Sequence, residues 1–178
     1  FDGATIFDWL KRKGRDLGVT YLHAEVTALR RLGRRVTGVL LSTGEEIACG
    51  TVVNAAGPRA ARILNMVDLD LPVEPRKRYT YVFDAAEPLD RPLPLTIDPS
   101  GVHMRSDGRY YMCGCPPDLD GPVEPDDFEM DHGLWEEKVW PALATRVPAF
   151  ERVKVINQWV GHYAYNTLDQ NAILGWHR

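Results

Sequence analysis

The chain has few cysteines and no long hydrophobic run. Only three cysteines occur in 178 residues, and Cys113 and Cys115 are one residue apart, which fits neither a disulfide framework nor a zinc knuckle. No stretch approaches the roughly 18 apolar residues that a membrane span needs, and the given sequence contains no basic-then-apolar signal-peptide pattern. These features favour reduced, packed thiols in a protein without a membrane span, cytoplasmic or, in a eukaryote, mitochondrial.

Other familiar site patterns are missing as well. The net charge of −4 argues against nucleic acid as a partner, and the short basic runs fit solvated faces. No pair of histidines has metal-ligand spacing, so no metal site is predicted. The sequence contains no Gly-x-Ser-x-Gly elbow, no phosphate-binding Gly-x-x-x-x-Gly-Lys-Ser and no Gly-x-Gly-x-x-Gly.

The first third of the chain has alternating helix and strand patterns. Asp2 can cap a helix over residues 3–17, which Gly18 then ends. Short β-rich runs separated by glycine-containing turns follow, which is typical of a β-meander. The predicted strands cover residues 19–22, 25–32, 35–41 and 46–49.

Beyond residue 67 prolines become frequent, which indicates edge strands and turns. Strands are predicted over residues 78–84, 101–105, 109–113, 153–165 and 171–175. A helix around Leu134 to Trp140 is capped by Asp126-Asp127 or by Asp131, and Pro141 kinks or restarts it. The fold class is therefore α+β, with a mostly antiparallel sheet and a packed helix in the second lobe.

Residues 51–57, Thr-Val-Val-Asn-Ala-Ala-Gly, form the most informative motif. An apolar strand ends in small residues, and Gly57-Pro58 then opens a helix over about residues 58–66. Proline is favourable at the first helical position. Bare main chain beside a helix N-terminus can approach the sugar and diphosphate of a nucleotide. A tight strand-to-helix corner without a ligand is the alternative.

Polar and aromatic residues lie along the predicted strands of the second lobe. His103 alternates with Val102 and Met104, so it faces away from them and shares its face with Arg105. Tyr163 and Tyr165 also alternate along one strand. A substrate pocket could use such residues for positioning or proton transfer, and ordinary packing is the alternative explanation.

The order of these segments resembles the middle of flavoenzymes related to D-amino-acid, glycine and sarcosine oxidases. The resemblance extends from the first helix through the 51–57 motif to Trp159-Val160-Gly161 and to residues 169–175, Asp-Gln-Asn-Ala-Ile-Leu-Gly. Residues 71–81, 138–150 and 163–171 are similar to a branch of this family that is linked to the assembly of mitochondrial respiratory complex I. The resemblance covers nearly the whole chain.

The resemblance implies FAD as the cofactor and assigns residues by position. Val26 matches a residue whose main chain contacts the adenine, and Ala55, Ala56 and Gly57 match the turn beside the ribose and diphosphate. Gly175 matches the glycine that opens the return to the flavin. The substrate-pocket candidates are His103, Arg105, Tyr163 and Tyr165. No catalytic residue is assigned.

The resemblance also implies a domain organisation. Residues 1–66 correspond to part of an FAD-binding domain, residues 67–165 to a substrate-binding domain, and residues 166–178 to the start of the return. The chain is expected to be an interior piece whose natural partners include the amino- and carboxyl-terminal parts of its own protein. Because the Gly-x-Gly-x-x-Gly turn is absent, we expect this piece alone to hold FAD poorly and to be inactive.

The implied activity is oxidation of an amine or amino acid by hydride transfer to flavin. The family usually has an arginine after Trp-x-Gly to bind a substrate carboxylate, whereas His162 follows Gly161 here, so amino-acid oxidation is in question. One alternative is a flavin-containing assembly or interaction factor without amine turnover. A self-contained binding module is another, and the oligomeric state is open, a homo-oligomer included.

Overall fold

The computed structural model describes residues 3–176, which divide into two compact units between Val52 and Val53. The first unit contains helix α1 and a three-stranded antiparallel sheet in the order β1-β2-β3. Its elements are α1 (Gly3–Asp16), β1 (Val26–Leu32), β2 (Arg35–Leu41) and β3 (Glu46–Ala48). The predicted helix and meander are confirmed.

Helix α1 ends as its sequence predicts. Gly18 has a φ of +88°, a conformation that glycine adopts without strain, and its N–H donates to the carbonyl oxygen of Arg15 at 2.9 Å. Lys13 and Arg15 lie in the last turn, where they favour the negative end of the helix dipole. The predicted cap, Asp2, lies outside the described residues.

The strand predicted over residues 19–22 is wrong. The main chain of Val19 donates to the carbonyl oxygen of Gly14 at 3.0 Å, and the ring of Tyr21 packs back on α1, with its centroid 5.2 Å from Cζ of Arg15. The segment therefore folds onto the helix that precedes it. β-Propensity alone does not make a strand where no neighbouring strand pairs with it.

The second unit combines short helices with a five-stranded antiparallel sheet in the order β5-β6-β7-β4-β8. This arrangement confirms the α+β class. In chain order its elements are a 3₁₀ turn (Gly57–Arg59), α2 (Ala60–Asn65), β4 (Val73–Ala85), β5 (Thr96–Ile97), β6 (His103–Asp107), β7 (Tyr110–Cys115), a π-helical turn (Trp135–Val139), α3 (Trp140–Arg146), a 3₁₀ turn (Pro148–Glu151) and β8 (Val153–Asn166).

Strands β4 and β8 are paired over their whole length. The register extends from Val73 opposite Asn166 to Ala85 opposite Val153, with one irregularity between Val82 and Phe83. Successive side chains along a strand point to opposite faces. This pairing therefore gives the sheet two distinct faces, one of which packs against the helical segments of residues 134–150.

The helix-covered face of the sheet is the core of the second unit. Tyr81, Phe83 and Phe150 are fully buried there, and the Phe83 and Phe150 rings meet edge to face with centroids 5.0 Å apart. Cys113 and Cys115 are free, buried thiols in the same cluster, as predicted. Burial raises the pKa of Cys115 to about 11, so the thiol stays protonated at neutral pH.

Of the three predicted caps, Asp131 is the one that caps the helical segment after β7. Oδ1 of Asp131 accepts hydrogen bonds from the main-chain N–H groups of Gly133 (3.0 Å) and Leu134 (3.3 Å). Pro141 lies in the first turn of α3, where its missing N–H costs nothing, so it restarts the helix as one of the two predicted outcomes.

Two further predicted strands are wrong. Residues 51–56 and 171–174 have no strand neighbour among the described residues and are irregular. In the first segment, the side chain of Asn54 makes local hydrogen bonds to Ala60 and Ala56, which compete with strand pairing. In the second, Leu174 is 91% exposed, so no burial fixes a strand there.

The domain boundaries predicted at residues 66/67 and 165/166 describe roles within an intact flavoenzyme and stay predictions. The compact units divide elsewhere, between Val52 and Val53. The reason is that the 3₁₀ turn at Gly57–Arg59 packs against β4 and β8.

We expect Tyr81→Phe to stabilise the protein. The Tyr81 hydroxyl is buried without a hydrogen-bond partner among residues 3–176, and such a group costs about 1–3 kcal/mol. Removing it should raise the free energy of unfolding by about 1 kcal/mol, measured by urea denaturation. The control is Tyr111→Phe on the same face, because that hydroxyl accepts a 2.8 Å bond from the N–H of Leu89.

The Tyr111→Phe control should lower the free energy of unfolding by about 1 kcal/mol, since it leaves the Leu89 N–H unpaired. Equal destabilisation by both substitutions would contradict the prediction, because it would mean that the Tyr81 hydroxyl makes a stabilising contact.

Candidate functional site

The corner at residues 54–57 exposes bare main chain. Gly57 has a φ of +56°, and an added Cβ there would meet nothing within 4 Å. The Asn54 side chain closes the corner, donating to the carbonyl oxygen of Ala60 at 2.8 Å and accepting from the N–H of Ala56 at 3.3 Å. Ala55 and Ala56 are exposed. A ligand could therefore approach the main chain without meeting a bulky side chain.

The helix after this corner is short. Pro58 lies in the 3₁₀ turn at the predicted position, but α2 spans only Ala60–Asn65. A helix dipole grows with aligned peptide units, so the corner offers exposed amides more than a strong dipole. Positive charge comes instead from Arg59 and Arg62, which both pair with Asp126.

The second candidate region is the sheet face opposite the helices, which we call the open face. One row of directly paired residues crosses all five strands on this face. From β5 to β8 it consists of Ile97, His103, Gly114, Thr80 and Trp159. Ile97, His103 and Trp159 are exposed, so the row presents apolar, imidazole and indole groups around one residue without a side chain.

Gly114 is required where it lies. A Cβ there would be 2.6 Å from the carbonyl oxygen of Tyr79 and 3.0 Å from Nε2 of His103. The imidazole therefore lies over the main chain of Gly114. Arg105, two residues along β6 on the same face, bonds Asp107 at 3.0 Å and contacts Sδ of Met112 at 3.4 Å.

Tyr163 and Tyr165 form a second group on the open face, together with arginines of β4. Cζ of Arg76 lies 3.5 Å from the Tyr165 ring centroid, and Cζ of Arg78 lies 5.2 Å from that of Tyr163. Both are cation–π distances. The pKa of Arg76 is raised above its usual value, chiefly by the hydrogen bond that its guanidinium group donates to Glu74.

The four predicted pocket residues share one face but form two groups. His103 lies in the row of Trp159, whereas Tyr163 is four residues further along β8. With strands about 4.8 Å apart and residues about 3.4 Å apart, His103 and Tyr163 are roughly 20 Å from each other. One small substrate could contact one group, while an elongated ligand would be needed to reach both.

Arg76 and Arg78 were missed in the sequence. Their alternation with the aromatic run Tyr79-Thr80-Tyr81 was the available signal, because a strand that buries Tyr79 and Tyr81 sends residues 76 and 78 to the other face. Asn166 was also missed. It is the buried polar residue that orders the turn after β8, bonding Asp169 and Asn171.

Two predicted cofactor contacts lie elsewhere. Val26 begins β1 in the first unit and pairs with Leu41 of β2. Because β1 is an edge strand of the three-stranded sheet, the main chain of Val26 is paired with a strand on one side only. Gly175 has a φ of +146° and open space around its Cα. Both positions leave main chain accessible.

Other parts of the second unit offer less. An open groove of about 960 Å³ lies where β4 ends and β8 begins, and Trp135 and Trp140 form part of its lining.

Within residues 3–176, no three His, Cys, Asp or Glu side chains are grouped to hold a metal ion. None of the helices over that range is long and apolar enough to span a bilayer.

The sequence profile of the FAD-dependent oxidoreductases known as DAO matches residues 1–178. The chain belongs to the DAO family. It is 35% identical over 208 residues to FAD-dependent oxidoreductase domain-containing protein 1 of Bos taurus, covering 99% of this chain and 43% of that protein. It is 29% identical over 162 residues to sarcosine oxidase subunit beta of Rhizobium meliloti (strain 1021), covering 86% of this chain and 36% of that protein.

The fold of this DAO-family chain also matches solved structures. It superimposes on the crystal structure of L-proline dehydrogenase from P. horikoshii with a TM-score of 0.80 at 24% identity, over 94% of this chain and 44% of that one. The chain thus spans less than half the length of these relatives. The family resemblance inferred from the sequence is confirmed.

We expect Gly114→Ala to destabilise the DAO-family chain by about 1–3 kcal/mol, because the new methyl group would overlap a carbonyl oxygen and the His103 ring. Gly161→Ala is the matched control, since Gly161 lies on the same face with open space around it and no positive φ. The control should change stability by less than about 1 kcal/mol. Equal effects in urea denaturation would show that the approach at Gly114 is not tight.

Proposed function

We propose that this chain is the interior part of an FAD-dependent oxidoreductase that oxidises an amine or amino acid at the carbon next to nitrogen. The observation that carries the proposal is the combination, within one unit, of an exposed main-chain corner and a sheet face, opposite the core helices, that bears imidazole, indole, phenol and guanidinium groups. Membership of the DAO family and the likeness to proline dehydrogenase and sarcosine oxidase support it.

The corner suits a cofactor's sugar and diphosphate. The 3₁₀ turn at Gly57–Arg59 packs against β4 and β8, so the corner lies beside the sheet that holds the candidate pocket. Ala55, Ala56 and Gly57 would provide main-chain contacts without steric hindrance. By resemblance, the main chain of Val26 and Gly175 would add contacts in the intact protein.

The open face suits the reacting end of the site. Bound FAD would supply the chemistry, accepting a hydride from the substrate carbon. Trp159 and His103 would pack against flat aromatic surface, and an imidazole nitrogen of His103 would hold or pass on a proton. Arg76, Arg78, Tyr163 and Tyr165 would orient a polar or anionic substrate group.

We expect the 178-residue chain alone to purify without flavin. It has no Gly-x-Gly-x-x-Gly turn, which supplies the main-chain donors and helix dipole for a dinucleotide diphosphate. An absorption spectrum of the purified chain checks this. A flavin band at one equivalent per chain would contradict it and would revive the idea of a self-contained binding module.

Trp159→Ala should slow flavin reduction in the longer protein that contains this chain. Anaerobic mixing with a panel of secondary amines and amino acids should bleach the oxidised flavin, and removing the exposed indole should lower the bleaching rate about tenfold or more by loosening substrate or flavin position. Gln158→Ala is the matched control, because Gln158 is also exposed but pairs with Tyr81 and belongs to the other face.

The test also separates the proposal from its alternative. If no amine in the panel bleaches the flavin, the protein is better described as a flavin-containing assembly or interaction factor, the alternative that the sequence leaves open. If Gln158→Ala slows bleaching as much as Trp159→Ala does, the open face is not the substrate side.

A further inference from the structure

The guanidinium group of Arg78 is occupied by a carboxylate of the same chain. Its Nη1 and Nη2 donate to Oδ1 and Oδ2 of Asp120 at 2.8 and 2.9 Å. Both side chains retain about a quarter of their exposure, 27% and 28%. A parallel two-bond pair of this kind is the geometry in which arginine binds any free carboxylate.

A second arginine and two tyrosine rings surround this pair. Arg78 lies over the ring of Tyr163, and Arg76 stacks on Tyr165. Nη1 of Arg76 is 3.8 Å from Oδ2 of Asp120, so the carboxylate lies between two guanidinium groups. Aromatic stacking limits the conformations of both arginines, which lowers the entropy that binding an anion would cost.

The occupant comes from a connection without regular structure, residues 116–133, which we call the acidic loop. Its acidic residues are Asp118, Asp120, Glu124, Asp126, Asp127, Glu129 and Asp131. The loop has several anchors besides Asp120. Asp118 pairs with Lys138, Asp127 pairs with Lys77, and the ring of Phe128 packs against that of His162. One main-chain bond joins the N–H of Val123 to the carbonyl oxygen of Pro75 along β4.

We propose that Asp120 is an internal stand-in for a carboxylate ligand. A small carboxylate displaces it from Arg78 and releases residues 119–122, the part of the acidic loop between its anchors at Asp118 and Val123. The open face would then bind the ligand carboxylate between Arg76 and Arg78. The site itself is argued from the geometry, and only the natural ligand, an amino acid rather than a simple amine, rests on the proposed function.

Replacing Asp120 by a free carboxylate at Arg78 should cost little free energy. One carboxylate replaces another at the same guanidinium group, so few contacts are lost, and the competition depends on the effective concentration of the tethered Asp120. For a short flexible tether that concentration is on the order of millimolar. Free carboxylates in the millimolar range should therefore compete with it.

The experiment uses the full-length FAD-loaded protein and propionate as the probe, with propionamide as the uncharged control. Release of residues 119–122 is followed by cleavage of the Leu119–Asp120 bond with a protease that cuts on the amino side of aspartate. We expect tens of millimolar propionate to accelerate this cleavage about threefold or more in the native protein, and propionamide to leave it unchanged.

Affinity for propionate is measured separately by ligand-observed NMR titration. Asp120→Asn should bind propionate about fivefold more tightly than the native protein, because the competing charge is gone. Asp118→Asn is the matched control, since it removes the same charge from the same loop but pairs with Lys138, and its propionate affinity should be unchanged. Arg78→Lys, which keeps the charge but not the two-bond geometry, should bind several-fold more weakly.

An Asp120→Asn protein that binds propionate no more tightly than the native protein would overturn the inference, as would cleavage that propionate leaves unchanged. Propionate has no C–N bond to oxidise, so these readouts do not depend on turnover. Bleaching by amines without displacement of Asp120 would therefore contradict this inference alone, and displacement without bleaching by any amine would contradict the proposed function alone.

Discussion

The full-length pairing of β4 with β8 is the interaction on which the rest of the second unit depends. Because side chains alternate along paired strands, one register sends Tyr79, Tyr81 and Phe83 to the helices and Arg76 and Arg78 to the open face. A slip of one residue would bury the arginines and expose the aromatic side chains. The packing of the hydrophobic core therefore fixes where the positive charge of the open face lies.

The charge pairs of the open face contribute more to geometry than to stability. Partly exposed ion pairs are worth about 0–1 kcal/mol each, so Glu74 and Asp120 add little to the free energy of unfolding through Arg76 and Arg78. What the pairs and the tyrosine rings do is hold two guanidinium groups in fixed orientations. Fixed donors cost less entropy when a ligand binds, which is the property of a recognition surface.

Local patterns predicted much of the fold because they are set by neighbouring residues. The first helix, the meander and the strands predicted over residues 101–105 and 109–113 follow from periodicity and glycine turns. The structure has the helix and the meander, and it pairs the two strands as β6 and β7. The strands predicted over residues 19–22, 51–57 and 171–175 failed for one shared reason. A strand requires a partner, and whether a partner exists is decided by residues far away in the sequence.

The same difference between local patterns and long-range pairing explains which site residues could be predicted from the sequence. Exposure of the corner at Gly57 follows from small side chains in sequence, so the motif could be found directly. The arginines were missed because the family resemblance directs attention to the residue after Gly161, where His162 stands. The structure places Arg78 directly across the ladder from Gly161. Since Gly161 has no side chain and open space around it, a guanidinium from the neighbouring strand can supply positive charge at that level of the sheet, and a carboxylate-bearing substrate remains compatible with this surface.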